Sequence, residues 1–146
     1  MIPMRDYQMN LYYDVRAARA AGHRIIIAQA ATGAGKTTFA TYLAERAVEK
    51  QARVLFLVHR RRLVNQISDR LREFSIIHGV IMAKEHGYGS ATVQVASRDT
   101  LVSRCFTHEW TGLPPAELVI VDEGHHAANP ESEYRKILEN YPTATI

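Results

Sequence analysis

Residues 31–37 read Ala-Thr-Gly-Ala-Gly-Lys-Thr. Glycines at 33 and 35 let successive backbone N–H groups turn toward one anion, and a helix beginning at Lys36 adds the field of its N-terminus. The flanks fit that reading. Residues 25–28 (Ile-Ile-Ile-Ala) form a short apolar run that predicts a buried strand, and Phe39, Leu43 and Ala47 place an apolar stripe on a following helix. Strand, glycine loop and helix in this order make Thr32, Gly33, Ala34, Gly35, Lys36, Thr37 and Thr38 candidate contacts for a nucleotide's phosphates. Lys36 would reach the β and γ phosphates, and the Thr37 hydroxyl would face Mg²⁺, a cation that takes few protein ligands. A glycine turn that merely caps a helix is the plainer alternative, but it does not require the preceding strand.

A second element lies at residues 119–126, Val-Ile-Val-Asp-Glu-Gly-His-His. An apolar strand that delivers Asp122 and Glu123 at its C-terminal end sets two carboxylates at the crevice where open α/β sheets bind ligands. Asp122 would hold Mg²⁺ through water, and Glu123 would polarise the attacking water as general base. A Glu directly after the Asp favours hydrolysis over transfer to a substrate hydroxyl.

The rest of the chain repeats the unit. Leu11, Val15 and Ala18 predict a helix over residues 7–21, stopped by Gly22. Residues 53–58 (Arg-Val-Leu-Phe-Leu-Val) read as a buried strand, and Leu63, Val64, Ile67, Leu71 and Phe74 give the next helix its core face. Weaker strand signals lie at residues 76–82 and 92–96, the latter followed by a short helix that Ser97 would cap. Residues 118–121 are the last clear strand. Tyr134, Ile137, Leu138 and Tyr141 mark a final helix, which Pro142 would end. Residues 84–90 and 104–115 read as long loops. Non-alternating Val/Ile/Leu strands between amphipathic helices imply one α/β domain over residues 1–146, a doubly wound, mostly parallel sheet in a three-layer sandwich.

Composition narrows the class. Apolar residues make up 47% and charged residues 23%, the balance of a globular domain. The single Cys105 cannot form an internal disulfide, no apolar run approaches a membrane span, and no leader is visible, so a cytoplasmic protein without a membrane partner is expected. Of 18 basic residues 14 are Arg, with Arg60, Arg61 and Arg62 consecutive. That cluster is either a solvated helix face or a surface for nucleic-acid phosphates.

Taken together, the glycine loop and the Asp-Glu-Gly-His sequence at residues 122–125 resemble motifs I and II of superfamily 2 helicases of the DExH type. The resemblance covers nearly the whole chain and implies a P-loop NTPase domain of RecA-like fold that uses ATP and Mg²⁺. It places His125 at the link to motif III and a second motor domain, and gives Lys36, Asp122, Glu123 and His125 catalytic roles. Gly124 stands where Ala is commoner, and Ala30 replaces the first glycine of motif I, as relatives often do. Arg5, Tyr7 and Gln8 resemble the element that contacts adenine in this family. Residues 57–66, with His59, Arg60, Arg61 and Gln66, resemble motif Ia. Residues 93–101, with Ser97, Arg98 and Thr100, resemble a later element of the same nucleic-acid surface. For both stretches a core strand followed by a solvated basic helix stays open. The texture is similar to phage, prophage and type III restriction helicase-like proteins, which implies DNA rather than RNA as partner. Adjacent His125 and His126 suggest no zinc site, because no third ligand has suitable spacing.

The resemblance further implies a strand after the final helix, leading to motif III and inserted between the strands that carry the phosphate loop and the acidic pair. Residues 143–146 (Thr-Ala-Thr-Ile) are too close to Pro142 to be that motif. Two outcomes follow: the chain is truncated before the motif III strand, with the second RecA-like domain also outside it, or residues 143–146 fill part of the gap. The implied activity is that of the ATP-binding half of a nucleic-acid translocase, weakly active alone. A GTPase lacks support, since no Asn-Lys-x-Asp guanine element occurs; another P-loop NTPase such as a kinase stays an alternative, although a kinase would not need Glu123. A non-catalytic, nucleotide-dependent nucleic-acid-binding module remains the alternative from another class.

Overall fold

The computed structural model describes residues 2–30, 35–82, 90–107, 112–122, 129 and 131–146. Four strands, β1 (Val54–Val58), β2 (His78–Ile81), β3 (Val93–Ser97) and β4 (Leu118–Val121), form a sheet of order β2-β3-β1-β4 in which every pairing is parallel. All five residues of β1 are buried, which explains why its sequence does not alternate between apolar and polar.

Alternate β1 residues feed two separate cores. Leu55 and Leu57 pack with Leu101, Val119, Tyr134 and Ile137. Val54, Phe56 and Val58 pack with Val64, Ile67 and Leu71 on the other face. Each fully buried side chain of this kind is worth about 1.5–3 kcal/mol. The three-layer expectation holds: α2 (Lys36–Glu49) and α3 (Arg61–Glu73) cover one face, while α4 (Arg98–Val102) and α5 (Glu133–Leu138) cover the other. The opening helix α1 (Asp6–Ala20) lies outside α2, with Tyr12 meeting Tyr42 edge to face at 5.2 Å.

Several local expectations are corrected. Residues 25–28 form no strand of the sheet, and Ile25 and Ile27 are 55% and 79% exposed. The reason lies at the C-terminal end. Thr145 makes a parallel bridge to Leu118: its carbonyl accepts from Val119 N–H at 2.8 Å, and its N–H donates to Glu117 O at 2.9 Å. On the opposite side Ile146 N–H donates to Arg24 O at 2.9 Å and Ile146 O accepts from Ile26 N–H at 2.8 Å. Residues 145–146 thus fill the first part of the gap between residues 24–26 and β4, the second of the two outcomes expected. Past this rung residues 27–28 and β4 face each other across a cleft instead of pairing.

Arginine side chains fix the inserted end. Arg24 Nη1 donates to Tyr141 O at 3.1 Å and Ala144 O at 3.2 Å, and Arg19 Nε donates to Thr145 Oγ1 at 3.1 Å. Helix α5 ends at Leu138, before Pro142 can act, and Tyr141 is buried beyond it with its hydroxyl donating to Pro114 O at 2.6 Å. Ser97 occupies the N-cap position of α4 without a capping bond, whereas Ser132 caps α5 by accepting Arg135 N–H at 3.2 Å. Residues 103–107 are a turn of π-helix within the stretch expected as loop, and most of the loop at 84–90 lies outside the described residues.

Candidate functional site

Gly35 is the N-cap residue of α2, with φ +75° and ψ 40°. This left-handed backbone favours glycine, and a Cβ here would lie 2.6 Å from Gln8 Nε2. The helix starts at once: Gly35 O accepts from Phe39 N–H at 2.9 Å, and Lys36 is exposed at the first position. The N-terminal amides of α2 are therefore available to an anion, as the glycine motif requires. Thr32, Gly33 and Ala34 of the motif lie outside the described residues.

Gln8, expected at the nucleotide site, lines the cleft and makes backbone bonds that the sequence did not indicate. It is 4% exposed; its Oε1 accepts from Arg5 N–H at 2.9 Å, and its Nε2 donates to Gly35 O at 3.1 Å. Both ends of the amide expected to read a base are engaged by backbone, one at the start of α1 and one at the phosphate loop. Tyr7, the next residue back, is 42% exposed and lines the cleft beside Gln8.

Asp122 directly follows β4, where its N–H donates to Leu57 O at 3.3 Å. Asp122, Lys36 and Thr37 line one cleft of about 650 Å³, together with Tyr7, Gln8 and Gln66. That volume lies in the range of small-molecule sites. Apolar Phe56, Val58 and Ile120 line the cleft, as do residues 26–30, of which Ile26 is bonded to Ile146. Glu123 and His125 lie outside the described residues. A hydroxyl from Thr37 and a carboxylate from Asp122 are hard oxygen donors of the kind Mg²⁺ takes, with water completing its shell.

The residues expected to meet nucleic acid follow the carboxyl ends of the strands, the same end of the sheet as Asp122. Register pairs Val58 with Ser97 and Leu57 with Val121, so β1, β3 and β4 end side by side. Arg60 is the N-cap residue of α3 and Arg61 its first residue; both, with Arg62, are exposed and make no ion pair among the described residues. His59, Ser97 and Thr100 are half-buried. Arg98 differs from its neighbours: its guanidinium meets Asp99 at 2.8 Å and Glu133 at 3.3 Å, and lies 5.1 Å over the Tyr134 ring. Its charge is matched inside the fold. Gln66, grouped by sequence with the arginines, also lines the cleft with Lys36.

At the opposite end of the sheet Arg53 and Glu117 form a forked ion pair, which Arg53 N–H joins at 2.6 Å. The hydrogen bonds from Arg53 hold the Glu117 carboxyl down at about 2. Burial pushes the Cys105 thiol up, against a smaller opposing effect of Arg104. No helix among the described residues is long and apolar enough to cross a membrane.

Residues 1–146 match the family described as type III restriction enzyme, res subunit. A 51.5 kDa protein of Lactococcus phage (isolate 7-9) is 34% identical over 113 residues, 77% of this chain and 21% of that protein. The type ISP restriction-modification enzyme LlaGI, determined as a nuclease-deletion mutant in complex with a DNA substrate mimic, superposes with TM-score 0.70 and 17% identity, covering 97% of this chain and 16% of LlaGI. The chain therefore spans about a fifth of the phage protein's length and less of LlaGI's. With residues 1–146 all matched to the family and the parallel sheet shared with LlaGI, the chain belongs to the type III restriction enzyme res-subunit family and has the fold of a superfamily 2 helicase's first motor domain.

Proposed function

We propose that this domain binds ATP with Mg²⁺ and serves as the nucleotide-binding half of an ATP-dependent nucleic-acid translocase acting in the cytoplasm. The observation that carries this reading is the shared cleft: Lys36 and Thr37 at the start of α2 and Asp122 at the end of β4 line the same cavity. A triphosphate seated on the amides of α2 would place its terminal phosphates against Lys36. Thr37 and Asp122 would hold Mg²⁺, which when bound screens the phosphate charge. Glu123 is assigned the general base, and His125 the link to a second motor domain.

The exposed arginines at the start of α3, with backbone N–H groups at the starts of α3 and α4, would take the phosphates of one DNA strand. Such contacts read charge and not sequence. A second domain would supply arginines worth about 10³ to 10⁵ in rate, so residues 1–146 alone are expected to bind ATP and hydrolyse it very slowly. The test is equilibrium binding of labelled ATP and of single-stranded DNA to the wild type and Lys36→Ala, alongside steady-state hydrolysis. The reading expects ATP binding that Lys36→Ala weakens, and slow turnover. Wild-type protein that binds DNA but no ATP would leave only a nucleic-acid-binding module.

A further inference from the structure

Arg70 stands in the last turn of α3. Its Nη2 donates to Thr38 Oγ1 at 2.7 Å, its Nη1 donates to Glu73 at 2.7 Å, and its guanidinium lies 5.0 Å over the Phe74 ring. A planar cation held by an acceptor, a carboxylate and a ring face has one orientation, so little rotamer freedom remains in the link. Thr38 is the third residue of α2, next to Thr37. Arg70 therefore ties the far end of α3, whose start is flanked by Arg60 and carries Arg61 and Arg62, to the first turn of the helix that begins with Lys36. That turn is held from both sides, since Gln8 of α1 donates to Gly35 O at 3.1 Å.

We infer that Arg70 is a positioning residue that couples the basic start of α3 to the phosphate site, an inference that rests on the function proposed above. A polyanion on Arg60–Arg62 biases the placement of α3. Through the Arg70–Thr38 bond, that bias reaches the turn whose amides meet the nucleotide. Linkage makes the effect reciprocal: bound nucleotide must alter affinity for the strand by the same factor.

The experiment titrates labelled oligothymidylate into the wild-type chain with and without ATPγS and Mg²⁺, then repeats this with Arg70→Met and Arg70→Lys. The wild type is expected to show a nucleotide-dependent change in strand affinity of about 5-fold or more. In Arg70→Met that factor falls to near one, while affinity for each ligand alone stays within about twofold and the melting curve stays cooperative. Arg70→Lys, which can still donate to Thr38, keeps most of the factor, a rescue that a purely structural role does not predict. If Arg70→Met unfolds, Thr38→Val is read in its place for the coupling factor alone. Coupling that survives either substitution unchanged overturns the inference. Wild type that binds both ligands without coupling also overturns it and leaves the proposed function standing, whereas binding of neither ligand removes both.

Discussion

Gln8 Nε2 donates to Gly35 O at 3.1 Å, so α1 grips the residue whose left-handed backbone turns the chain into α2. Gly35→Ala must adopt a conformation costing about 1–2 kcal/mol and push a Cβ against the Gln8 amide. A loss of about 1–3 kcal/mol and a drop of several degrees in Tm are expected. The Gln8→Ala/Gly35→Ala double variant should lose less than the sum of the single losses, because the contact is shared. Additive losses in chemical denaturation would contradict the contact.

Residues 145–146 set the register for a longer strand. Parallel pairing alternates, so a residue added after Ile146 would donate to Val119 O and accept from Val121 N–H, and the next would bond Ile26 O and Ala28 N–H. Appending a short Val/Ile-rich segment should protect the amides of Ala28 and Val121 from hydrogen exchange and raise Tm; a proline-containing segment should do neither. In the unextended chain, Ala28 should exchange much faster than Leu57 at the sheet centre. Strong protection of residues 27–28 without any extension would contradict the open cleft.

Glu117 carries a sign that acid unfolding can test. Its folded value, about 2, lies below the 4.5 of a free glutamate, so the Arg53 pair adds stability that is fully present above about pH 4.5 and is lost as pH falls toward 2. Both side chains are about half exposed, which limits the contribution to about 1 kcal/mol. Glu117→Gln should be slightly less stable than wild type at pH 7, and the difference should vanish near pH 2. A difference that grows on acidification would reverse the assignment.

Arg61 and Arg98 should behave differently, although both stand near helix starts at the same end of the sheet. Arg61→Ala should weaken single-stranded DNA binding and lower the slope of log affinity against log salt by about 1. Arg98→Ala should leave that slope unchanged and cost about 1 kcal/mol of stability through lost contact with Tyr134 and Glu133. Equal salt slopes for the two variants would refute the distinction.

The parallel sheet was legible because Val54–Val58 and Leu118–Val121 are apolar runs bounded by polar residues, and α3 because Val64, Ile67 and Leu71 fall on one stripe. Residues 25–28 looked like such a strand, but a strand needs neighbours, and the pairing here depends on Thr145 and Ile146, more than a hundred residues away in sequence. The same distance hid the Arg24 clamp and the Arg70–Thr38 bond. For Gln8 the residue type was legible and its bond to Gly35 O was not, since an amide that suits adenine's edge suits a backbone carbonyl equally well. Lys36, Thr37 and Asp122 could be placed from sequence because the motifs tie them to a helix start and a strand end, and those two ends face one cleft.

This cleft is expected to take the phosphates and the metal together. The direct measurement is the affinity of a fluorescent ATP analogue, with and without Mg²⁺, for wild type, Lys36→Ala and Asp122→Asn. Wild type should bind more tightly with Mg²⁺, Lys36→Ala should lose about 10- to 100-fold, and Asp122→Asn should lose the Mg²⁺ dependence. Unchanged affinity in Lys36→Ala, or full Mg²⁺ dependence in Asp122→Asn, would mean that the cleft does not hold phosphate and metal together.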